Sequence, residues 1–498
     1  MKQSKEICNQ KCRSRQNPKR KIVKLKKYYS AADIFELFAE EKDIVFLDSS
    51  MENDLGQYSI IGMAPYLKLV KEGEKFTENG ALHEESFEDY LKKYLTEHFD
   101  ENETELPIVS GAIGYFSYDY GRKRMGISSV HSDHMKIPDA VMIFYDIFVI
   151  EDRRKRCIWL IANGETGAAE SVLGEIQKKL ERLNTKQYTN VMEDRSRQKE
   201  KSQGENEESF KGQDNVGEAV SFNFERLEYM NTVERMIRYI IDGDIYVANM
   251  TQQLKIASRK KPYQVFQLLR EENPSPFGGY LNYGDFQIVC ASPERFLRMK
   301  NGRVETRPIK GTRKRGVTPE EDEKLRKELE MSEKDKSELL MIVDLERNDL
   351  NRVCIPGSVK VTELFSVETY ATVFHLVANV EGKLRQGLTV MDLLEAAFPG
   401  GSITGAPKYR AMEIIDELEH GQRNLYTGSI GYLTLDNSCD FNIVIRTALY
   451  KDGCYYLGAG GGITAESETA FEYEETLQKA KALVNTIMGV AENADYIG

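Results

Sequence analysis

Apolar positions along the chain fall in short runs separated by polar and glycine-containing turns, with no single period running through the whole. Runs rich in Val, Ile, Phe and Tyr predict strands at 44–47, 108–118, 140–150 and 157–162. Three-to-four spacing predicts helices at 31–41 and 168–183. A long helical pattern over 224–242 leads into further strands at 246–256, 278–283, 286–291 and 303–309. Two more helical stretches follow at 319–345 and 468–488. Helices and strands are mixed without a regular strand-helix-strand beat, so the expected class is α+β with largely antiparallel sheet. No internal repeat of fixed length is found.

Composition narrows the options. Apolar residues make up 41% and charged residues 30% of the 498 positions, enough for a large core. The net charge of −12 disfavours nucleic acid as a partner, and no apolar run reaches the roughly 18 residues of a membrane span. The seven cysteines are scattered, which suggests neither a disulfide framework nor a zinc site and fits a reducing cytoplasm. Residues 1–27 are strongly basic and read as a solvated tail, and 184–217 is polar enough to read as a mobile linker. The expected organisation is therefore an N-terminal region at 28–183 and a larger second region at 218–498.

Candidate chemistry is concentrated in the second region. The glycine-rich stretch 400–408 fails as a phosphate loop, because the spacing is wrong and Tyr409 stands where Ser or Thr would hold magnesium. The stretch 458–463 likewise fails the dinucleotide pattern. Thr404 reads instead as a helix cap with Pro407 in the first turn, an end suited to a carboxylate. Asp335 and Glu338, and Glu472 and Glu475, are two carboxylate pairs at a three-residue helical step. Each pair reads as a solvated face by itself; two together could converge on one hard cation. His131 and His134 read as surface loop, and His375 as a hydrogen-bonded core histidine.

Several ordered motifs then carry a resemblance. Residues 292–296 (SPERF), 307–312 (RPIKGT), 340–345 (LMIVDL) with 347–349 (RND), 398–408 (FPGGSITGAPK), 445–447 (IRT) and 472–476 (EYEET) resemble the chorismate-utilising enzymes, densely over 222–490. That resemblance implies a large α/β sandwich of mostly antiparallel sheets with helices packed outside, like anthranilate synthase component I. Within the family, Lys310 in PIKGT, with Asn249 and FPGGSITGAPK, is similar to the branch that makes aminodeoxychorismate; the branch that makes anthranilate usually has Ala at the lysine position. The implied reaction replaces the C4 hydroxyl of chorismate with ammonia, on the route to 4-aminobenzoate and folate.

The resemblance also implies roles. Lys310 is the nucleophile that adds to the ring, and it must be neutral to attack; Arg307 and Arg313, nearby in sequence, are candidate cations favouring that form. Glu294 is the general acid for the departing hydroxyl. Arg446, Thr404, Gly405, Lys408, Tyr426, His375, Gly460, Gly461 and Gln252 are substrate-binding positions, with Arg446 gripping a carboxylate. Glu338 and Glu475 would hold magnesium, with Asp335 and Glu472 as further carboxylates. Gln252 stands where relatives that add water have lysine. Asp48, Ser49 and Tyr58 match an N-terminal pocket that holds tryptophan in some relatives. No glutaminase motif surrounds any cysteine, so ammonia is expected from a separate glutamine amidotransferase subunit in a cytoplasmic heterodimer. Anthranilate synthase component I, and a non-catalytic subunit that binds chorismate or an amino acid, are the alternatives.

Overall fold

All 13 residues of the strand Ala140–Asp152 are buried, a pattern expected of a strand covered on both faces rather than of an alternating surface strand. A computed structural model, which describes residues 17–51, 55–183, 220–370 and 373–490, gives the reason. Ala140–Asp152 is the junction of two arms of one sheet and pairs with Tyr58–Glu72, Cys157–Ala162 and Gly111–Phe116. One arm continues through Ile44–Asp48, Phe277–Asn282, Phe286–Ser292, Thr447–Lys451, Cys454–Ile463 and Val247–Ala257. The other runs through Ser429–Thr434, Cys439–Asn442, Arg295–Lys300, Arg303–Arg307 and Val373–Lys383. Each of these pairings is antiparallel. A register shift between Pro65 and Leu67 lets Tyr58–Glu72 bend where the arms diverge.

The two arms face one another. Val45, Ile60, Ile113, Ile143, Ile288, Ile430 and Leu449, drawn from strands of both arms, form one cluster between them, to which no helix among the described residues contributes. The outer face of the first arm packs against the helices Ala31–Glu36, Ala169–Leu183, Pro262–Glu272 and Thr469–Met488 through Phe35, Leu173, Phe266 and Val484. The outer face of the second arm is covered by Phe87–Glu97, Glu333–Asn351 and Val390–Ala397 through Leu91, Leu339 and Leu394. This is the expected α+β sandwich with helices outside. No helix among the described residues is long and apolar enough to cross a membrane.

Local departures from expectation have local causes. Residues 17–27 are not a solvated tail: Lys21–Lys24 pairs with Cys157–Ala162 and extends the first arm, whereas 1–16 and the linker at 184–217 lie outside the described residues. The helical stretch 319–345 is two helices, Pro319–Met331 and Glu333–Asn351, because the Ser332 backbone turns extended and its hydroxyl caps the second by accepting from Asp335 N at 3.3 Å. Residues 303–309 likewise divide into Arg303–Arg307 and Ile309–Lys314 around Pro308. The helix expected from Thr404 starts at Lys408, with Pro407 before it. Thr404 is not its cap; its hydroxyl donates to Gly400 O at 2.8 Å and closes the tight turn Gly401–Ile403.

Candidate active site

Lys310 lies on Ile309–Lys314, which pairs with Val373–Lys383 so that Lys310 faces Leu376 and Thr312 faces His375. Between them Gly311 has φ +73°, and a Cβ there would lie 2.8 Å from Asp335 Cγ; the Lys-Gly-Thr step therefore requires glycine. The half-buried Lys310 ammonium points across to the 400–405 turn and donates to Ser402 O at 3.4 Å. Its Nζ is also 3.6 Å from where a Gly462 side chain would begin, on the first arm. Lys310 thus bridges the strand edges of the two arms.

Glu294 is buried and precedes Arg295–Lys300. Burial pushes its carboxyl above the usual range, while a hydrogen bond from Ser402 and the charge of Lys310 pull it back. On Glu333–Asn351, burial raises Glu338 too; Lys310 and Lys334 oppose that, and the carboxylates of Asp335 and Glu475 add to it. Lys310 therefore acts electrostatically on both the buried acid and Glu338.

The second pair, Glu472 and Glu475, meets Gly461. A Cβ there would lie 2.8 Å from Glu475 Oε2 and 3.0 Å from Glu472 Oε2, so the absent side chain is what lets the carboxylates approach the strand. Glu472 is buried, and burial raises its carboxyl despite the hydrogen bond from Ser467. Asp335 is turned partly aside, accepting from Arg313 at 3.2 Å. Among the described residues no three acidic, His or Cys side chains are gathered as a metal cage. Lys479 Nζ meets Glu475 at 2.7 Å and donates to Gly460 O at 2.9 Å, so a cation already balances this carboxylate. Carboxylates that raise one another's affinity for protons, Glu472 buried and Glu338 and Glu475 half-buried, are nevertheless a donor set that a hard divalent ion suits.

Arg446 adopts φ +52° at the join between Cys439–Asn442 and Thr447–Lys451, and its guanidinium donates to Lys479 O. Desolvation of the guanidinium by the surrounding protein lowers its pKa, against the pull of Tyr426 and Glu475. Burial pushes Tyr426 up to about 12, with the Arg423 and Arg446 charges opposing. His375 is held down to about 4 by burial, so its ring is neutral near pH 7, with Nδ1 2.9 Å from Thr312 Oγ1. Gln252 is fully buried; its amide donates to Thr476 Oγ1 and leaves Oε1 without a partner among the described residues. Lys408 is bound inside the protein, to Asp349 at 2.6 Å and Ala397 O at 2.8 Å. Arg307 and Arg313 are not free cations beside Lys310: Arg307 pairs with Glu363 and Glu368, and Arg313 with Glu328 and Asp335. His131 and His134 make separate contacts, to Asp416 O and Ser132.

Sequence reasoning missed three groups. Lys479 is four residues after Glu475 on one helix, a spacing that was readable. Arg423 and Glu419 form a buried pair that holds Ile403 O and Asn249 O, fixing the 400–405 turn against Val247–Ala257. Glu346 is a buried acid that electrostatically faces Glu294. Away from this cleft, Asp48, Ser49 and Tyr58 line one pocket between the arms with Pro276, Tyr432 and Asp440. Asp48 is buried there against Arg270 at 2.8 Å.

The chorismate binding enzyme family matches residues 46–485. The chain is 38% identical over 461 residues to aminodeoxychorismate synthase component 1 of Bacillus subtilis, covering 90% of this chain and 93% of the relative. It is 37% identical to anthranilate synthase component 1 of Acetivibrio thermocellus, over 92% of this chain and 93% of that one. Its fold matches the crystal structure of anthranilate synthase component I from Streptococcus pneumoniae with a TM-score of 0.73 and 31% identity, covering 87% and 93% of the two chains. The family match runs through both arms of the sheet and both carboxylate-bearing helices, and the chain belongs to the chorismate binding enzymes.

Proposed function

We propose that the protein is aminodeoxychorismate synthase component I, which converts chorismate and ammonia to 4-amino-4-deoxychorismate. The observation that carries this reading is the Lys310 amine, held 3.4 Å from Ser402 O, with a charge that acts on both the buried acid Glu294 and the carboxylate of Glu338. In the proposed course, neutral Lys310 adds at C2 of the ring while the C4 hydroxyl leaves as water, taking its proton from Glu294. Ammonia then adds at C4 and expels the lysine, which departs with its bonding pair as the neutral amine, while the new C4 ammonium group returns a proton to the Glu294 carboxylate. Burial suits Glu294 to the acid role, because a raised carboxyl keeps its proton closer to neutrality. Covalent catalysis divides one difficult displacement into two easier ones.

Arg446 would take a substrate carboxylate with its guanidinium fork, and neutral His375 would present a ring surface without adding charge. Tyr426, Thr404, Gly405, Gly460, Gly461 and Gln252 would shape the remaining walls. Lys408, already engaged by Asp349, would act by holding the 400–405 turn. Glu338, Glu472 and Glu475 would hold magnesium, with Asp335 beside them, and the ion would neutralise carboxylate charge on substrate and protein together. A separate glutamine amidotransferase subunit would supply ammonia, and the Asp48, Ser49 and Tyr58 pocket would take tryptophan.

The test is mass spectrometry of the product formed from chorismate, magnesium and an ammonium salt. Aminodeoxychorismate is expected from the wild type, and Lys310→Ala should lose at least about 100-fold of that activity, the order attributed to a single catalytic group. Anthranilate as the main product would refute the assignment, and it is the competing outcome because a relative of that activity is 37% identical.

A further inference from the structure

Glu346 lies two turns beyond Glu338 on Glu333–Asn351, is 8% exposed, and has no lysine or arginine paired with it among the described residues. Its Oε2 is 3.0 Å from Thr306 Oγ1 on Arg303–Arg307, and that same hydroxyl is 2.8 Å from Phe296 O on Arg295–Lys300. A threonine hydroxyl has one proton to give, and a carbonyl has none. If Thr306 donates to Phe296 O, the contact with Glu346 is a hydrogen bond only when Glu346 supplies the proton. The charged and titratable groups around it are Glu294, Asp349 and Lys408; the first two are acids, and Lys408 is already committed to Asp349 at 2.6 Å. Burial pushes this carboxyl well up, and the Glu294 and Asp349 charges add to it, against the opposing pull of the Thr306 contact and the Lys408 charge.

We infer that Glu346 is held as a neutral carboxylic acid that donates to Thr306, and that this link is a positioning device which docks the helix bearing Asp335 and Glu338 onto the strands leading to Glu294 and Lys310. The chain of contacts has the right ends. Phe296 is two residues from Glu294, Thr306 is four from Lys310, and Glu346 shares a helix with the first carboxylate pair. An ionised Glu346 could only accept, so Thr306 would have to abandon Phe296 O, and a second negative charge would face Glu294. The positioning role rests on the proposed use of Glu294, Lys310 and Glu338; the protonation state does not.

Infrared spectroscopy of the ligand-free full-length protein at pH 7 tests the state directly. The wild type is expected to show a protonated-carboxyl band component that Glu346→Gln removes, with Glu294→Gln as the control for the neighbouring acid. Absence of any component lost in Glu346→Gln would overturn the inference, whichever product the enzyme makes. Glu346→Gln keeps a donor for Thr306 and should retain kcat/KM within about threefold, while Glu346→Leu, which has none, should lose about tenfold or more. Equal loss in both variants, or full activity in a folded Glu346→Leu, would overturn the positioning role. Should the leucine variant fail to fold, Thr306→Val removes the same link from the other side, and full activity there would overturn the role as well.

Discussion

Removing the Arg423 guanidinium is the sharpest perturbation of the framework behind the site. Arg423 and Glu419 are each 2% exposed, and the side chain of Arg423 gives two hydrogen bonds to Glu419, one to Ile403 O at 2.9 Å and one to Asn249 O at 2.6 Å. Arg423→Met keeps much of the volume but leaves Glu419 as an uncompensated charge in the interior, with only the Thr251 amide at 2.9 Å, among the described residues, still donating to it. Breaking a buried pair from one side costs about 3–5 kcal/mol, a large share of the roughly 5–15 kcal/mol that holds a folded domain together. Replacing both partners with apolar side chains removes the stranded charge, so Arg423→Met combined with Glu419→Leu is expected to lose less than the single variant. Urea unfolding followed by fluorescence, with all three variants in a double-mutant cycle, measures this. A single variant that loses under about 1 kcal/mol, or a double variant as unstable as the sum of its parts, would refute the reasoning.

Further outcomes follow from the site. Thermal unfolding should show magnesium stabilising the wild type, by about 2.7 kcal/mol at a hundredfold excess over Kd, with most of the effect lost in Glu475→Gln. Gly461→Ala places a methyl group 2.8 Å from Glu475 Oε2 and should weaken magnesium binding more than it lowers the unfolding midpoint, as titration calorimetry would report. The carboxyls of Glu294, Glu338 and Glu472 are raised on folding, so the stability they contribute is complete below the ordinary carboxylate range and is lost as pH rises through their folded values. Metal-free Glu338→Gln should therefore gain stability over the wild type at pH 7 and not at pH 4, measured by unfolding midpoints at both.

The sequence by itself determined the ingredients. Alternating and continuous apolar runs marked the strands, including Cys157–Ala162 to the residue, and the three-residue steps of the acidic pairs fixed which carboxylates share a helix face. These are short-range facts, set by backbone periodicity and side-chain chemistry within a few residues. The long strand Tyr58–Glu72 was missed because it pairs with different partners along its length and bends at Pro65. Only the tertiary structure decided that Glu472 and Glu475 meet Gly461, that Lys310 reaches the 400–405 turn, and that Arg307 and Arg313 are occupied by other acids. Glu346 looked like any other helix acid until Thr306, 40 residues away, was brought against it. Charge state and proximity depend on what burial removes from water and on which distant strand supplies the neighbour, and neither is written in local spacing.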